Sequence, residues 1–166
     1  ELFFDDEQAL SKWASSFAGS FASGSFLLLL GEMGVGKTTF TRNFLRAYMQ
    51  NENLRVTSPT YAVAQEYRNG KKRAHHLDFY RLAAADELAA IGFEEVVADV
   101  SNDGAIAVIE WPLCVNWALP SSPCYCVYLE YLPDQLERRR MCWGRVPSDW
   151  HAIERFYSDN QKNLLS

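Results

Sequence analysis

Phe26-Leu27-Leu28-Leu29-Leu30-Gly31-Glu32-Met33-Gly34-Val35-Gly36-Lys37-Thr38 is the stretch that decides how this chain folds. The run Phe26 to Leu30 is apolar on both faces, as a strand buried inside a sheet must be. Gly31 to Thr38 then fits G-x-x-x-x-G-K-[ST], the loop that cradles nucleotide phosphates. From Lys37 to Gln50 the apolar residues Phe40, Phe44, Leu45 and Tyr48 fall at helical spacing. Strand, glycine-rich turn and helix in that order give the turn a chemical use. Gly34 and Gly36 let backbone N–H groups converge on phosphate oxygens, and the helix N-terminus adds about half a positive charge. Lys37 is placed to reach the β- and γ-phosphates, and the Thr38 hydroxyl to ligate Mg²⁺. The motif identifies a nucleotide site without saying what the nucleotide's energy is used for.

Outward from this loop the pattern is α/β. Asp5 to Phe21 reads as an amphipathic helix with Leu10, Trp13, Ala14 and Phe17 on one face, capped by Asp5 or Asp6. After the P-loop helix, Pro59 pushes Ser58 towards an extended conformation, so Val56 to Thr60 is a loop or strand edge. Tyr61 to Tyr67 alternates with period two, Asn69-Gly70 is a hairpin turn, and Lys71 to Phe79 returns as the partner strand. Ala83 to Ile91 reads as a helix stopped near Gly92. Ala105 to Ile109 is a second buried strand, Tyr125 to Tyr131 a third, and Arg139 to Trp143 pairs with it. Ser148 caps a C-terminal helix reaching Tyr157. The fold class is therefore a P-loop NTPase-like mixed β-sheet flanked by helices, with an antiparallel hairpin after the P-loop helix.

The bulk numbers agree. A length of 166 residues fits a single domain, 1–166, with a substantial core, and 48% hydrophobic with 22% charged residues is ordinary for a soluble protein. A net charge of −5 argues against broad, non-specific nucleic-acid binding; the one concentrated basic cluster is Arg138-Arg139-Arg140. The cysteines Cys114, Cys124, Cys126 and Cys142 lack zinc or thioredoxin spacing and read as packing thiols. No stretch reads as a signal peptide, and none approaches the ~20 apolar residues of a membrane span. A cytoplasmic protein is expected.

A P-loop ATPase also needs an acid at a strand end to serve Mg²⁺ and a group to orient water or an acceptor. Glu110, directly after Ala105 to Ile109, has Walker B placement. Asp78, in His75-His76-Leu77-Asp78-Phe79-Tyr80, reads either as a second site acid or as a cap on the following helix. Thr57, Ser58 and Thr60 lie where nucleotide switches close on the γ-phosphate, or form a plain Ser/Thr-Pro turn. His75 and His76, adjacent on a strand, point to opposite faces and read as structural or as hydrogen-bond partners of the loop. Trp111 packs or covers the site.

Four segments together resemble the TsaE family, small bacterial ATPases required for threonylcarbamoyladenosine synthesis on tRNA. They are Gly31 to Phe40, Ser58-Pro59-Thr60-Tyr61, His76-Leu77-Asp78-Phe79-Tyr80-Arg81-Leu82 and Ile109-Glu110-Trp111-Pro112, with Asp6-Glu7-Gln8-Ala9 resembling the family's start. The resemblance spans residues 6 to 112 and implies ATP with Mg²⁺ and slow intrinsic hydrolysis. It also implies action with the TsaB–TsaD threonylcarbamoyltransferase complex, which would bring the tRNA. Carried over by position, Gly34, Val35, Gly36, Lys37, Thr38 and Thr39 bind nucleotide, and Thr38 and Glu110 serve the metal. Asp78 acts near the γ-phosphate, and Ser58, Thr60 and Tyr61 belong to a switch loop. Glu7 and a late arginine, with Arg138 as the candidate, border adenine. The family's further acid after Glu110-Trp111-Pro112 is replaced here by Leu113-Cys114-Val115. The rival readings are a small-molecule or nucleoside kinase, against which the hairpin counts because it takes the place of acceptor-binding helices, and a non-hydrolysing scaffold.

Overall fold

The computed structural model describes residues 1–59, 62–118, 120–133, 135–147 and 149–161, with Leu136 by its backbone alone. Its strands are β1 (Leu2–Phe4), β2 (Phe26–Gly31), β3 (Ala64–Asn69), β4 (Lys72–Asp78), β5 (Ile106–Glu110), β6 (Cys124–Leu132) and β7 (Gln135–Val146). Its helices are α1 (Glu7–Ser20), α2 (Lys37–Tyr48), α3 (Glu87–Ala90), α4 (Phe93–Asp103) and α5 (Trp150–Gln161). The strands join one sheet in the order β1-β7-β6-β2-β5-β4-β3. β2 is parallel to both of its neighbours, β5 and β6, and β4 is parallel to β5. The pairs β1–β7, β6–β7 and β3–β4 are antiparallel, which makes the sheet mixed as expected.

Burial follows from that order. All six residues of β2 are buried, because strands flank it on both sides and helices cover both faces. Alternation along β2 divides the core. Leu27 and Leu29 pack with Leu10, Phe40, Phe44 and Val108 beneath α1 and α2. Phe26, Leu28 and Leu30 pack with Phe79, Phe93, Val100 and Ile153 on the face covered by α3, α4 and α5. Phe44 anchors the first cluster, with its ring 5.1 Å from Phe21, 6.0 Å from Phe17 and 6.2 Å from both Phe40 and Tyr48. Gly31 is glycine for a steric reason: its φ is +134°, and a Cβ there would collide with the Leu129 carbonyl of β6.

The elements differ from the sequence reading in particular places. Asp6, not Asp5, caps α1, with its carboxylate accepting from the Ala9 N–H at 2.7 Å. Asp5 instead lies 2.9 Å from the Arg138 guanidinium. β3 begins at Ala64 rather than Tyr61; Val63, at φ 62°, leaves the extended region just before it. The helix expected over Ala83 to Ile91 shrinks to the single turn α3, because the N–H groups of Ala83 and Ala84 are taken by the Glu87 carboxylate at 3.0 and 3.1 Å. Gly92, at φ 70°, then starts α4, which the sequence reading left unassigned although Phe93, Val96 and Val100 bury one face of it. β1 was also unassigned; it pairs Leu2 to Phe4 with Arg139 to Met141. β7 runs well beyond Arg139 to Trp143, and α5 reaches Gln161. Ser148, expected to cap α5, lies outside the described residues, as do Thr60 and Tyr61 of the switch loop. Cys124 and Cys126 are buried in one cluster, as their alternation requires, and burial pushes the Cys126 thiol up.

Two stability outcomes follow, both read by urea denaturation. Asp6→Ala costs about 1 kcal/mol through the lost cap, and Asp5→Ala less, since its ion pair is solvent-exposed. Phe44→Ala costs about 3–5 kcal/mol, as for other aromatic truncations in a packed core.

Candidate nucleotide site

The end of β2 and the start of α2 frame a cavity of about 430 Å³. Its floor is the loop Gly31 to Thr38, and Ser58, Asp78, Tyr80, Arg81, Glu110 and Trp111 close its sides. Gly36 stands at the N-cap of α2 with φ 111° and no side-chain cap, so the helix's first N–H groups remain available to an anion. Asp78 and Glu110 come together because β4 and β5 are parallel and in register: the two residues are direct partners at the strand ends. Both are buried.

Lys37 lies across the loop. Its Nζ donates to the carbonyls of Gly31 at 2.8 Å and Glu32 at 2.7 Å, and sits 3.8 Å from the centre of the Trp111 ring. Burial lowers its pKa from 10.5 to about 8, partly offset by the negative charges of Glu110 and Asp78. Trp111 is held over the ammonium by an unusual backbone, φ 59°, and by an N–H bond to the Leu29 carbonyl at 3.3 Å. The sequence reading placed Trp111 as packing or as a cover; its ring faces the lysine and also contacts Tyr80 at 4.9 Å.

The Glu110 carboxylate has three side-chain neighbours. Oε2 accepts from the Thr38 hydroxyl at 3.0 Å. Oε1 lies 2.9 Å from His76 Nε2 and 3.3 Å from the Thr41 hydroxyl. A threonine hydroxyl and a carboxylate side by side are the hard oxygen ligands Mg²⁺ takes, so the donor set fits the metal. Asp78 does two things at once. Oδ1 accepts from the Tyr80 N–H at 3.0 Å, capping the turn after β4 rather than a helix, and Oδ2 accepts from the Ser58 hydroxyl at 3.0 Å. Ser58 is thereby tied to the site acid.

The remaining candidates sort by distance from the loop. Thr39 and Gly34 line the cavity, and Val35 is buried beneath it. Glu7 is the exposed first residue of α1; Leu10, one turn on, packs under Gly36. Arg138 is held by Asp5 and by Gln135, to which it donates at 2.8 Å, and does not touch the loop. Arg139 does: its Nε donates to the Val35 carbonyl at 3.0 Å and its guanidinium stacks 4.0 Å over Tyr131. Tyr131, which the sequence reading missed, donates to the Gly34 carbonyl at 2.7 Å. Strand alternation gives the reason, since Arg139 and the buried core residue Met141 share the α1–α2 face of β7. Arg140 is buried against Glu130 on the other side.

His75 and His76 point to opposite faces as expected, but their partners are acids on neighbouring elements rather than the loop. His75 lies 2.9 Å from Asp99 of α4. Glu66, His75 and Asp99 bring ligand atoms within 4.8 Å of one another, yet the Arg73 guanidinium pairs with both acids and supplies the positive charge there.

The profile of the family described as "Threonylcarbamoyl adenosine biosynthesis protein TsaE" matches residues 4–141, extending past Trp111 into β7. The "tRNA threonylcarbamoyladenosine biosynthesis protein TsaE" of Rickettsia bellii is 31% identical over 142 residues, covering 86% of this chain and 92% of that protein. The Bacillus subtilis protein of the same name is 31% identical over 120 residues, covering 70% and 66%. That of Haemophilus influenzae is 37% identical over 106 residues, covering 64% and 63%. The solved structure described as "Crystal structure of Bacillus subtilus YdiB" superposes with a TM-score of 0.67 at 19% identity, over 98% of this chain and 94% of that one, which shows a shared fold. On this evidence of profile and sequence, the chain belongs to the TsaE family of threonylcarbamoyl adenosine biosynthesis proteins.

Proposed function

We propose that this chain is a Mg²⁺-dependent ATPase that acts with the TsaB–TsaD threonylcarbamoyltransferase complex in forming threonylcarbamoyladenosine on tRNA. The observation that carries the reading is the bond from the Thr38 hydroxyl to the buried Glu110 carboxylate, beside Lys37 at the mouth of α2. Bound Mg²⁺ would supply charge to the β- and γ-phosphates. Thr38 can then offer its oxygen to the cation while its O–H still donates to Glu110 Oε2. Lys37 exchanges the carbonyls of Gly31 and Glu32 for phosphate oxygens. Asp78, fixed by Tyr80 and Ser58, is placed to orient the attacking water.

The family's role in threonylcarbamoyl adenosine biosynthesis is the ground for the TsaB–TsaD partnership and for a cytoplasmic setting. Indirect contact with tRNA is supported by the charge pattern. Net charge is −5, and the Arg138 to Arg140 cluster is engaged within the chain. Among the described residues, no helix is long and apolar enough to cross a membrane.

ATP turnover measured alone and with TsaB–TsaD and tRNA is the direct test: low turnover alone and clear stimulation by the complex are expected. ATP consumed only when a small-molecule acceptor is added would contradict the reading. Glu110→Gln should cut Mg²⁺-dependent turnover on the order of 100-fold while nucleotide still binds in EDTA, a loss of the size seen when a metal site is disturbed. Unchanged turnover in that variant would sink the metal assignment.

A second test uses the lysine. Its ammonium titrates near 8 in the free protein, and phosphate oxygens beside it favour the charged form, raising that value. Nucleotide binding should therefore take up close to one proton at about pH 9 and progressively less towards about pH 7. Calorimetry in buffers of different ionisation enthalpy reads this number. Uptake that does not change with pH would show that Lys37 does not meet the phosphates.

A further inference from the structure

His76 has no role in the site as described so far, yet it is fully buried and touches the site's central acid. It lies on β4, opposite Val108 of β5, on the sheet face that α2 covers. Its Nε2 is 2.9 Å from Glu110 Oε1. Against a carboxylate, which accepts, Nε2 must be the N–H donor. The other ring nitrogen, Nδ1, is buried and has no partner among the described residues. Buried polar atoms left unpaired are uncommon. An apolar side chain would suit the fold better here, so the fold alone does not account for histidine.

The division of labour around Glu110 does. Oε1 has two neighbours, but the Thr41 hydroxyl carries one proton and lies closer to the Lys37 carbonyl, 3.0 Å, than to Oε1, 3.3 Å. Its proton serves the helix backbone, as threonine hydroxyls inside helices commonly do. That leaves His76 as the dedicated donor to Oε1. Oε2 faces the other way, to the Thr38 hydroxyl at the cavity wall.

We infer that His76 is a positioning residue for the metal site: its Nε2–H pins Oε1 of Glu110 in the interior, so that Oε2 stays turned to Thr38 and to the cation. His75 provides the contrast within the same dipeptide. Its acid partner, Asp99, lies on α4 and is shared with Arg73, so that pair ties a helix to the sheet. The inference rests on the proposed Mg²⁺ role of Thr38 and Glu110 and adds what orients that acid.

The test is Mn²⁺ binding, read by electron paramagnetic resonance of free Mn²⁺, with the full chain and a non-hydrolysable ATP analogue. Three variants are compared with the unaltered chain. Gln places an amide N–H near the position of Nε2, Asn is too short to reach Oε1, and Leu has no donor. His76→Gln should hold Mn²⁺ nearly as well as the unaltered chain. His76→Asn and His76→Leu should bind it about 10–100-fold more weakly, the usual cost of losing a group that orients a metal ligand. Analogue affinity in EDTA should be the same in all four proteins. A merely structural histidine would lower the melting temperature in the variants and leave Mn²⁺ affinity unmoved; that result overturns the inference. Equal weakening in Gln and Asn overturns it too, and if Leu does not fold, this pair decides. Absence of Mn²⁺ uptake by the unaltered chain overturns the metal reading along with it, whereas uptake that is indifferent to residue 76 overturns the positioning role alone.

Discussion

A carboxylate taken out of water at the end of a central strand constrains everything around it. Glu110 is 2% exposed. An ionised group so placed costs several kcal/mol unless donors replace its water. Those donors cannot come from β5 itself, whose backbone groups are used in the sheet. They come from α2, through Thr38, and from β4, through His76, while the Thr41 hydroxyl packs beside Oε1 at 3.3 Å. The helix can bring Thr38 to the acid only if it begins directly beside the strand end. The loop from Gly31 to Gly36 achieves that start, and Gly31 passes so close to β6 that only glycine fits. The glycine-rich loop and the buried acid thus hold each other in place.

The sheet separates this polar apparatus from the rest of the core. On the α1–α2 face, Lys37, Thr38, Thr41, His76 and Glu110 are linked by short polar contacts, and the same face carries an aromatic cluster of Phe17, Phe21, Phe40 and Phe44. On the other face, Phe79, Phe93 and Trp117 pack edge to face, with rings 5.2 to 6.1 Å apart. Aromatic packing of that kind is dense and rigid.

How much of this the sequence carried depends on whether the signal was local. The P-loop, β2, α2, β5 and the hairpin at Asn69-Gly70 are written in short windows of periodicity and turn chemistry, and they stand where those windows put them. The pairing of Asp78 with Glu110 was legible only as two candidate acids; strand register made them neighbours. What was not legible depends on distant partners. α4 was missed because its start is set by the left-handed Gly92 and its acidic first turn obscures the Phe93, Val96, Val100 face. β1 is three residues long and exists only because β7 is there to pair with it. Within Arg138-Arg139-Arg140 the sequence could not say which side chain meets the loop, since that is fixed by which residues of β7 face α1 and α2. Tyr131 sent no signal of its own, since a tyrosine in a buried strand reads as packing.

The proposed function stands or falls with Lys37, Thr38 and Glu110 forming a site for a nucleotide with its cation. A crystal structure with a non-hydrolysable ATP analogue and Mn²⁺, located by its anomalous signal, addresses that claim most directly. The account predicts Mn²⁺ against the Thr38 hydroxyl on the Oε2 side of Glu110, with Lys37 Nζ moved from the carbonyls of Gly31 and Glu32 onto phosphate oxygens. Mn²⁺ placed away from Thr38, or Lys37 still bonded to those two carbonyls with the analogue bound, would contradict it.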